Sequence, residues 1–473
     1  MRLHFVIFAA FLMTFSAEGL AADPYLLPPQ NVTDIIDADP SPSIRISPDA
    51  NWMMLIERDA MPGIRDVARR MLRLAGLRID PAANGPFYTS FNKGLLLRTR
   101  SNDRTIRVPL PADARLAATS WSHDSRAFAF TVVTDDGTEL WAGTVDAPEK
   151  PRRLTNDLST VTGGFQWLPD GRHILCRVIP EGRGDEPKPP AAPVGPSIQE
   201  SYGNTSPTRT YQDLLTSPYD EELFEHYATA RLAILGLDGS KRIVSEPGIF
   251  IGVGASPDGR HMLLSKIGKP FSYLLTYRSF PQTIEVRSID GKPEYRVADV
   301  PIEENIPIEG VRTGPRRVDW MSSADATLVW QEALDGGDPE KKVDHRDRFM
   351  TLAAPFQQSP RELLRVEHRG YGLTYFRNPS QVATLEYDRD RRWIRSLLID
   401  LDKVDEPPIV IEDRSIRDRY GDPGSLLTEP NGNGHSVVRQ DGDFVYRVGA
   451  GASPDGNLPF IDRQNLTTQK TSV

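Results

Sequence analysis

One turn recurs through this chain and constrains its fold more than any other feature. Its fullest form is Gly254-Ala255-Ser256-Pro257-Asp258-Gly259, followed by the apolar run His261-Met262-Leu263-Leu264. Proline fixes φ, the aspartate carboxylate folds back onto backbone N–H groups and glycine supplies a left-handed φ, so the segment predicts a tight turn leading into a strand. Ser47-Pro48-Asp49-Ala50, Trp121-Ser122-His123-Asp124-Ser125 and Trp167-Leu168-Pro169-Asp170-Gly171 each precede a similar apolar run, as does the stretch from Trp320 to Asp325. Weaker forms stand at Asn378-Pro379-Ser380 and Asn431-Gly432-Asn433-Gly434. Taking positions 49, 124, 170, 258, 325, 379 and 432, the gaps are 75, 46, 88, 67, 54 and 53 residues. Such spacing suits four-stranded propeller blades of about 40–50 residues carrying insertions. A β-sandwich or a set of unrelated hairpins is the alternative, but neither has a reason to repeat one turn chemistry along so long a chain. The expected fold is all-β: a seven-bladed propeller over 44–473, its last blade incomplete, with a few helical insertions at 63–80 and 180–230 and an N-terminal segment at 22–43.

The chain opens with a basic start at Arg2, an apolar run from Phe5 to Phe15 and small residues up to Ala21-Ala22, the pattern of a secretory signal peptide over 1–21. That run is too short to span a membrane, which takes about 20 residues, and no cysteine at the cleavage point offers a lipid anchor. The expected location is therefore exported, periplasmic or extracellular. Removing Arg2 and Glu18 together leaves the formal net charge at −9, which argues against a nucleic-acid partner. The single cysteine, Cys176, lies in an apolar run and reads as a buried thiol rather than a nucleophile.

Between Gly63 and Ile79, Ile64, Val67, Ala68, Met71, Leu72 and Leu74 recur at helical spacing among arginines, which predicts an amphipathic helix covering one propeller face and breaking at Gly76. Pro180 to Pro207 is rich in proline, glycine and charge and reads as an extended loop or lid. After it, Ser217 and Pro218 suit the N-cap and first position of a helix, with acidic residues in its first turn. Asp220, Glu221, Glu222, Glu225 and His226 have metal-ligand chemistry, but a solvated helix start accounts for them more simply.

A resemblance becomes specific at Arg209-Thr210-Tyr211-Gln212-Asp213-Leu214-Leu215, followed by Tyr227-Ala228-Thr229. These residues resemble the glutamyl endopeptidase family of serine peptidases, in the prolyl oligopeptidase group. The same resemblance runs through Leu74–Asp80, Gly195–Ser201, Glu304–Ile308, Asp335-Gly336-Gly337-Asp338, Tyr420–Ser425 and Gly451–Phe460. It implies a seven-bladed propeller followed by an α/β-hydrolase domain with a Ser-Asp-His triad, the propeller admitting extended peptides for cleavage after glutamate.

The residues themselves offer no triad. No Gly-x-Ser-x-Gly elbow occurs: Gly254-Ala255-Ser256-Pro257-Asp258 fails at its last position and Gly424-Ser425 lacks the spacing. The histidines are scattered, and no zinc cluster, phosphate loop or dinucleotide fingerprint is present, so no catalytic, cofactor or metal residue is assigned. The α/β-hydrolase domain is expected to be absent from this chain, whose end at Val473 reads as a cut outermost strand. The leading expectation is the gating, substrate-selecting propeller of an exported glutamyl endopeptidase-like enzyme, inert alone, acting on peptide substrates with a missing or separately encoded hydrolase domain. The alternative is a stand-alone periplasmic protein-binding propeller. A propeller glycosidase finds no carboxylate pair free of turn duty.

Overall fold

The computed structural model describes residues 28–192 and 210–472. The proposed signal peptide and the Gly195–Ser201 match lie outside the described residues.

Each recurrent turn joins the first two strands of a four-stranded antiparallel unit. Blade one comprises Ser43–Ile46, Trp52–Arg58, Asn92–Thr99 and Thr105–Arg107, and blade two Arg115–Trp121, Ala127–Val133, Thr138–Thr144 and Arg152–Leu158. Blade three runs through Phe165–Trp167, His173–Val178, Arg231–Gly236 and Lys241–Ile243. Ile249–Ala255, His261–Ile267, Gln282–Ser288 and Pro293–Val300 form blade four. Blade five is Arg316–Trp320, Thr327–Ala333, Asp347–Ala353 and Arg361–Val366, and blade six Arg369–Tyr375, Gln381–Asp388, Trp393–Asp400 and Ile409–Ser415. Blade seven departs from this plan. Its inner strand is split into Ser425–Leu426 and Thr428–Pro430, its second into Ser436–Val438 and Gln440–Asp441, and Phe444–Gly449 and Phe460–Asn465 follow before an outermost strand of two residues, Thr471–Ser472. Every pairing between described strands is antiparallel, so the fold is an all-β seven-bladed propeller with short helical insertions.

The turns repeat at the level of atoms. Ser47, Ser122 and Ser256 donate to Asp49, Asp124 and Asp258 at 2.6, 2.7 and 2.5 Å. Each serine Oγ then accepts the N–H five residues on, from Trp52, Ala127 and His261. In blades six and seven an asparagine replaces the aspartate, Asn378 and Asn431 accepting from Ser380 and Asn433.

Neighbouring blades pack face to face through apolar clusters. Met54 and Leu95 meet Trp121 and Phe128 between blades one and two, Leu175 and Leu232 meet Phe250 and Met262 between three and four, and Val286 meets Trp320 and Leu328 between four and five. Each fully buried large side chain contributes about 1.5–3 kcal/mol relative to exposure. Two tryptophans add a polar tie: Trp121 and Trp320 donate their indole N–H to the Arg45 and Gly254 carbonyls of the preceding blade at 3.1 and 3.0 Å. On the inner strand of blade one Ile44 and Ile46 remain 59% and 62% exposed.

The expected helix over Gly63–Ile79 is corrected. Only Ile64–Val67 is helical; Leu72–Leu74 and Leu77–Asp80 form a hairpin. Ala75 and Gly76 take positive φ values of 52° and 84°, the geometry of a two-residue hairpin turn.

Candidate functional site

The long insertions converge on the propeller face opposite the recurrent turns. Blade one contributes the hairpin around Gly76, blade three the helix Pro218–Ala228, and blade four the stretch between its second and third strands. Together they build a second apolar layer, with Leu74, Ile79, Leu215, Phe224, Tyr227, Phe271, Tyr277 and Phe280 all buried. Phe224 stands edge-on to both Phe271 and Phe280, with ring centroids 5.2 and 5.8 Å away.

Polar clamps fix this cap. Asp213 accepts from Arg78 at 2.7 Å, while its backbone carbonyl accepts the Gly76 N–H at 2.7 Å. Gly76 has no room for a side chain, since a Cβ there would meet the Thr276 side chain. Glu186 accepts two bonds from Arg70, at 2.6 and 2.8 Å, and one from the Tyr227 hydroxyl at 2.5 Å, so the described start of the proline-rich insertion is tied down. The Arg70 guanidinium beside it holds the Glu186 carboxyl below its ordinary value. Ser217 caps its helix by accepting from the Asp220 N–H, with Pro218 at the helix start, as the sequence predicts.

The acidic cluster on that helix is spent on local structure. Asp220 accepts from Thr216, Glu221 from Tyr273 and Glu225 pairs with Lys269. Among the described residues no group of three or more His, Cys, Asp or Glu side chains is placed to hold a metal. His173 and His261 bond Asp170 and Glu294, and His123 bonds the Trp167 carbonyl. Ser256 is fully buried and occupied by Asp258. Cys176 is buried in the blade-two and blade-three core, and burial pushes its thiol up to about 12.

Two of the recesses on the capped side lie over inner strands. One, of about 420 Å³, lies beside the inner strand of blade two and is lined by Tyr88, Ala117, Ala118, Thr162, Gly163 and Tyr277. The other, of about 1170 Å³, lies between blades five and six and carries Arg346, Arg369, Tyr371, Tyr387 and Arg391. Behind it is a charge network the sequence does not announce. Asp347 takes Arg316 and Arg369 at 2.5 and 2.6 Å, and Asp335 takes Arg346 at 3.0 Å and also Arg369. Both carboxylates are fully buried. Gly337 packs its Cα against the Val311 carbonyl, which gives the Asp335-Gly336-Gly337-Asp338 stretch a structural reason for its residues.

Among the described residues no helix is long and apolar enough to cross a membrane. No family model matches the chain. It is 32% identical over 467 residues to the probable chloroplastic glutamyl endopeptidase of Oryza sativa, which covers 94% of this chain and 50% of the relative. The Arabidopsis thaliana protein of the same name is 31% identical, covering 94% of this chain and 48% of its own length. The chain thus spans about half the length of the curated relatives it matches. Among solved structures it is similar to a prolyl endopeptidase, with a TM-score of 0.44, 11% identity, and coverage of 92% of this chain and 49% of that one. It is similar also to the acylaminoacyl peptidase of Pyrococcus horikoshii, with a TM-score of 0.40, 10% identity, and coverage of 91% and 51%. By sequence this chain is a homologue of the glutamyl endopeptidases, matching about half of such a protein, and the part it supplies is a β-propeller.

Proposed function

We infer that this chain is the substrate-selecting propeller of an exported peptidase of the glutamyl endopeptidase kind, working with an α/β-hydrolase domain that carries the nucleophile. The observation that carries this reading is the cap. Three of the segments that resemble the family outside the repeated turns, Leu74–Asp80, Thr210–Leu215 and Tyr227–Thr229, build and clamp it. A propeller that only docks other proteins has no use for a buried second layer fastened by Asp213 and Glu186. Catalysis is assigned outside these residues, because Ser256 is held by Asp258 within its turn and Cys176 is buried. The role of the capped face is to admit extended chains and turn folded ones away.

A labelled polypeptide offered once unfolded and once folded and cross-linked tests this reading. Binding of the unfolded form alone supports selection by extension. Equal binding of both forms overturns it and favours a docking propeller.

A further inference from the structure

The blade-seven turn does something no other recurrent turn does. Turns of this kind touch their neighbours: Asp49 N–H donates to Ser125 Oγ in the next blade and Asp258 N–H to the Asp325 carbonyl in the next. The turn at Asn431–His435 reaches past its neighbours to three blades at once. Asn431 Nδ2 donates to the Ser322 carbonyl of blade five at 2.7 Å. Gly434 lies against the imidazole of His123 in blade two, so closely that a Cβ there would collide with the ring. His435 lies beside the backbone of Ala255 in blade four. A short turn can meet blades two, four and five together only by lying across the axis around which the blades are arranged.

The local sequence permits this. Gly432 and Gly434 hold φ of 81° and 83°, values that favour glycine, and the Asn431 N–H closes the loop onto the His435 carbonyl at 2.8 Å. Directly behind the turn, Val437 and Val438 are buried, one in the core of blades five and six and the other in that of six and seven. The hairpin is therefore anchored at its base and projected at its tip. Near His435 lies Asp319, exposed to solvent yet surrounded by enough protein that its carboxyl is held above the ordinary value by burial.

We propose that the hairpin Thr428–Val438 is a plug that closes the propeller's central passage on the side of the recurrent turns, leaving the capped face as the way in. The inference does not depend on the peptidase reading, since it concerns only the path into the propeller.

The test places a single reporter cysteine in the full chain, Asp319→Cys near the plug or Ala118→Cys at the capped-side recess; Cys176, buried with its thiol pushed up to about 12, stays silent in both. Labelling by a bulky polymer-linked maleimide is expected to be about tenfold or more slower at position 319 than at 118, and Gly434→Val is expected to erase that gap by driving the turn off His123. Should Gly434→Val fail to melt cooperatively, Asn431→Ala, which removes the tie to Ser322 and the acceptor of the Asn433 N–H but leaves Gly434 in place, decides the matter instead. Equal labelling at 319 and 118 in the parent, or a rate at 319 that neither variant changes, overturns the proposal.

Discussion

Arg316 and Arg369, on the inner strands of adjacent blades, both donate to Oδ1 of Asp347, at 2.5 and 2.6 Å, and that carboxylate has no exposed surface. Its second oxygen accepts the Gly370 N–H at 2.9 Å. Removing one partner of a buried pair leaves uncompensated charge in a low-dielectric interior. Asp347→Ala is therefore expected to destabilise the chain by about 3–5 kcal/mol. Asp347→Asn, which keeps one acceptor, costs less. Chemical denaturation of the two variants checks the order.

The recurrent turn makes a smaller and different prediction. Ser256 bridges Asp258 and the His261 N–H, so Ser256→Ala costs about 1 kcal/mol in stability. It leaves any peptidase activity of the native assembly unchanged. Loss of that activity in a folded variant would make the serine a nucleophile after all.

Gly76 joins the caps of blades one and three at a φ of 84° with the Thr276 side chain against its Cα. Gly76→Val forces a branched side chain into a left-handed position and is expected to cost about 1–3 kcal/mol. The cost falls on the cap, so amides around Gly76 and Asp213 lose hydrogen-exchange protection before those of blades five and six.

Below neutral pH the blade-seven turn is expected to weaken. Burial lowers the affinity of His435 and His123 for protons relative to the ordinary value of 6.5. The groups facing them are Asp319 and each other at His435, and Asp124 and Asp170 at His123. A histidine whose folded value is depressed takes up its proton first in the unfolded chain. Stability from this source is thus complete above 6.5 and falls as pH drops through 6.5 toward the depressed folded values. His435→Asn is expected to flatten the fall in melting temperature between about pH 7 and about pH 5; a slope equal to the parent's contradicts the assignment.

Much of the fold was legible because one turn chemistry is repeated: an aspartate, or in blades six and seven an asparagine, folded onto the turn's backbone, then an apolar strand. Ser217 and Pro218 were equally legible, since helix starts are local. The cap hairpin was not. Leu72-Arg73-Leu74 and Leu77-Arg78-Ile79 alternate with period two, but the same apolar residues also satisfy helical spacing, and only the left-handed Ala75-Gly76 pair decides between them. The network of Asp335 and Asp347 with three arginines was hidden for another reason. Arg316 and Asp347 lie 31 residues apart and Arg369 and Asp335 lie 34 apart, joined by blade packing that no sequence pattern records. The blade-seven turn looked like the weakest copy of the repeat, and its glycines are what let it reach across the axis.

We infer that this propeller serves a serine peptidase of the glutamyl endopeptidase kind. The most direct measurement is fluorophosphonate labelling of the native assembly purified through this chain, with cleavage of a glutamate-containing peptide followed in parallel. The expected result is a labelled serine on a hydrolase domain associated with the propeller, and cleavage after glutamate. An assembly containing the propeller with no labelled serine and no cleavage would contradict it.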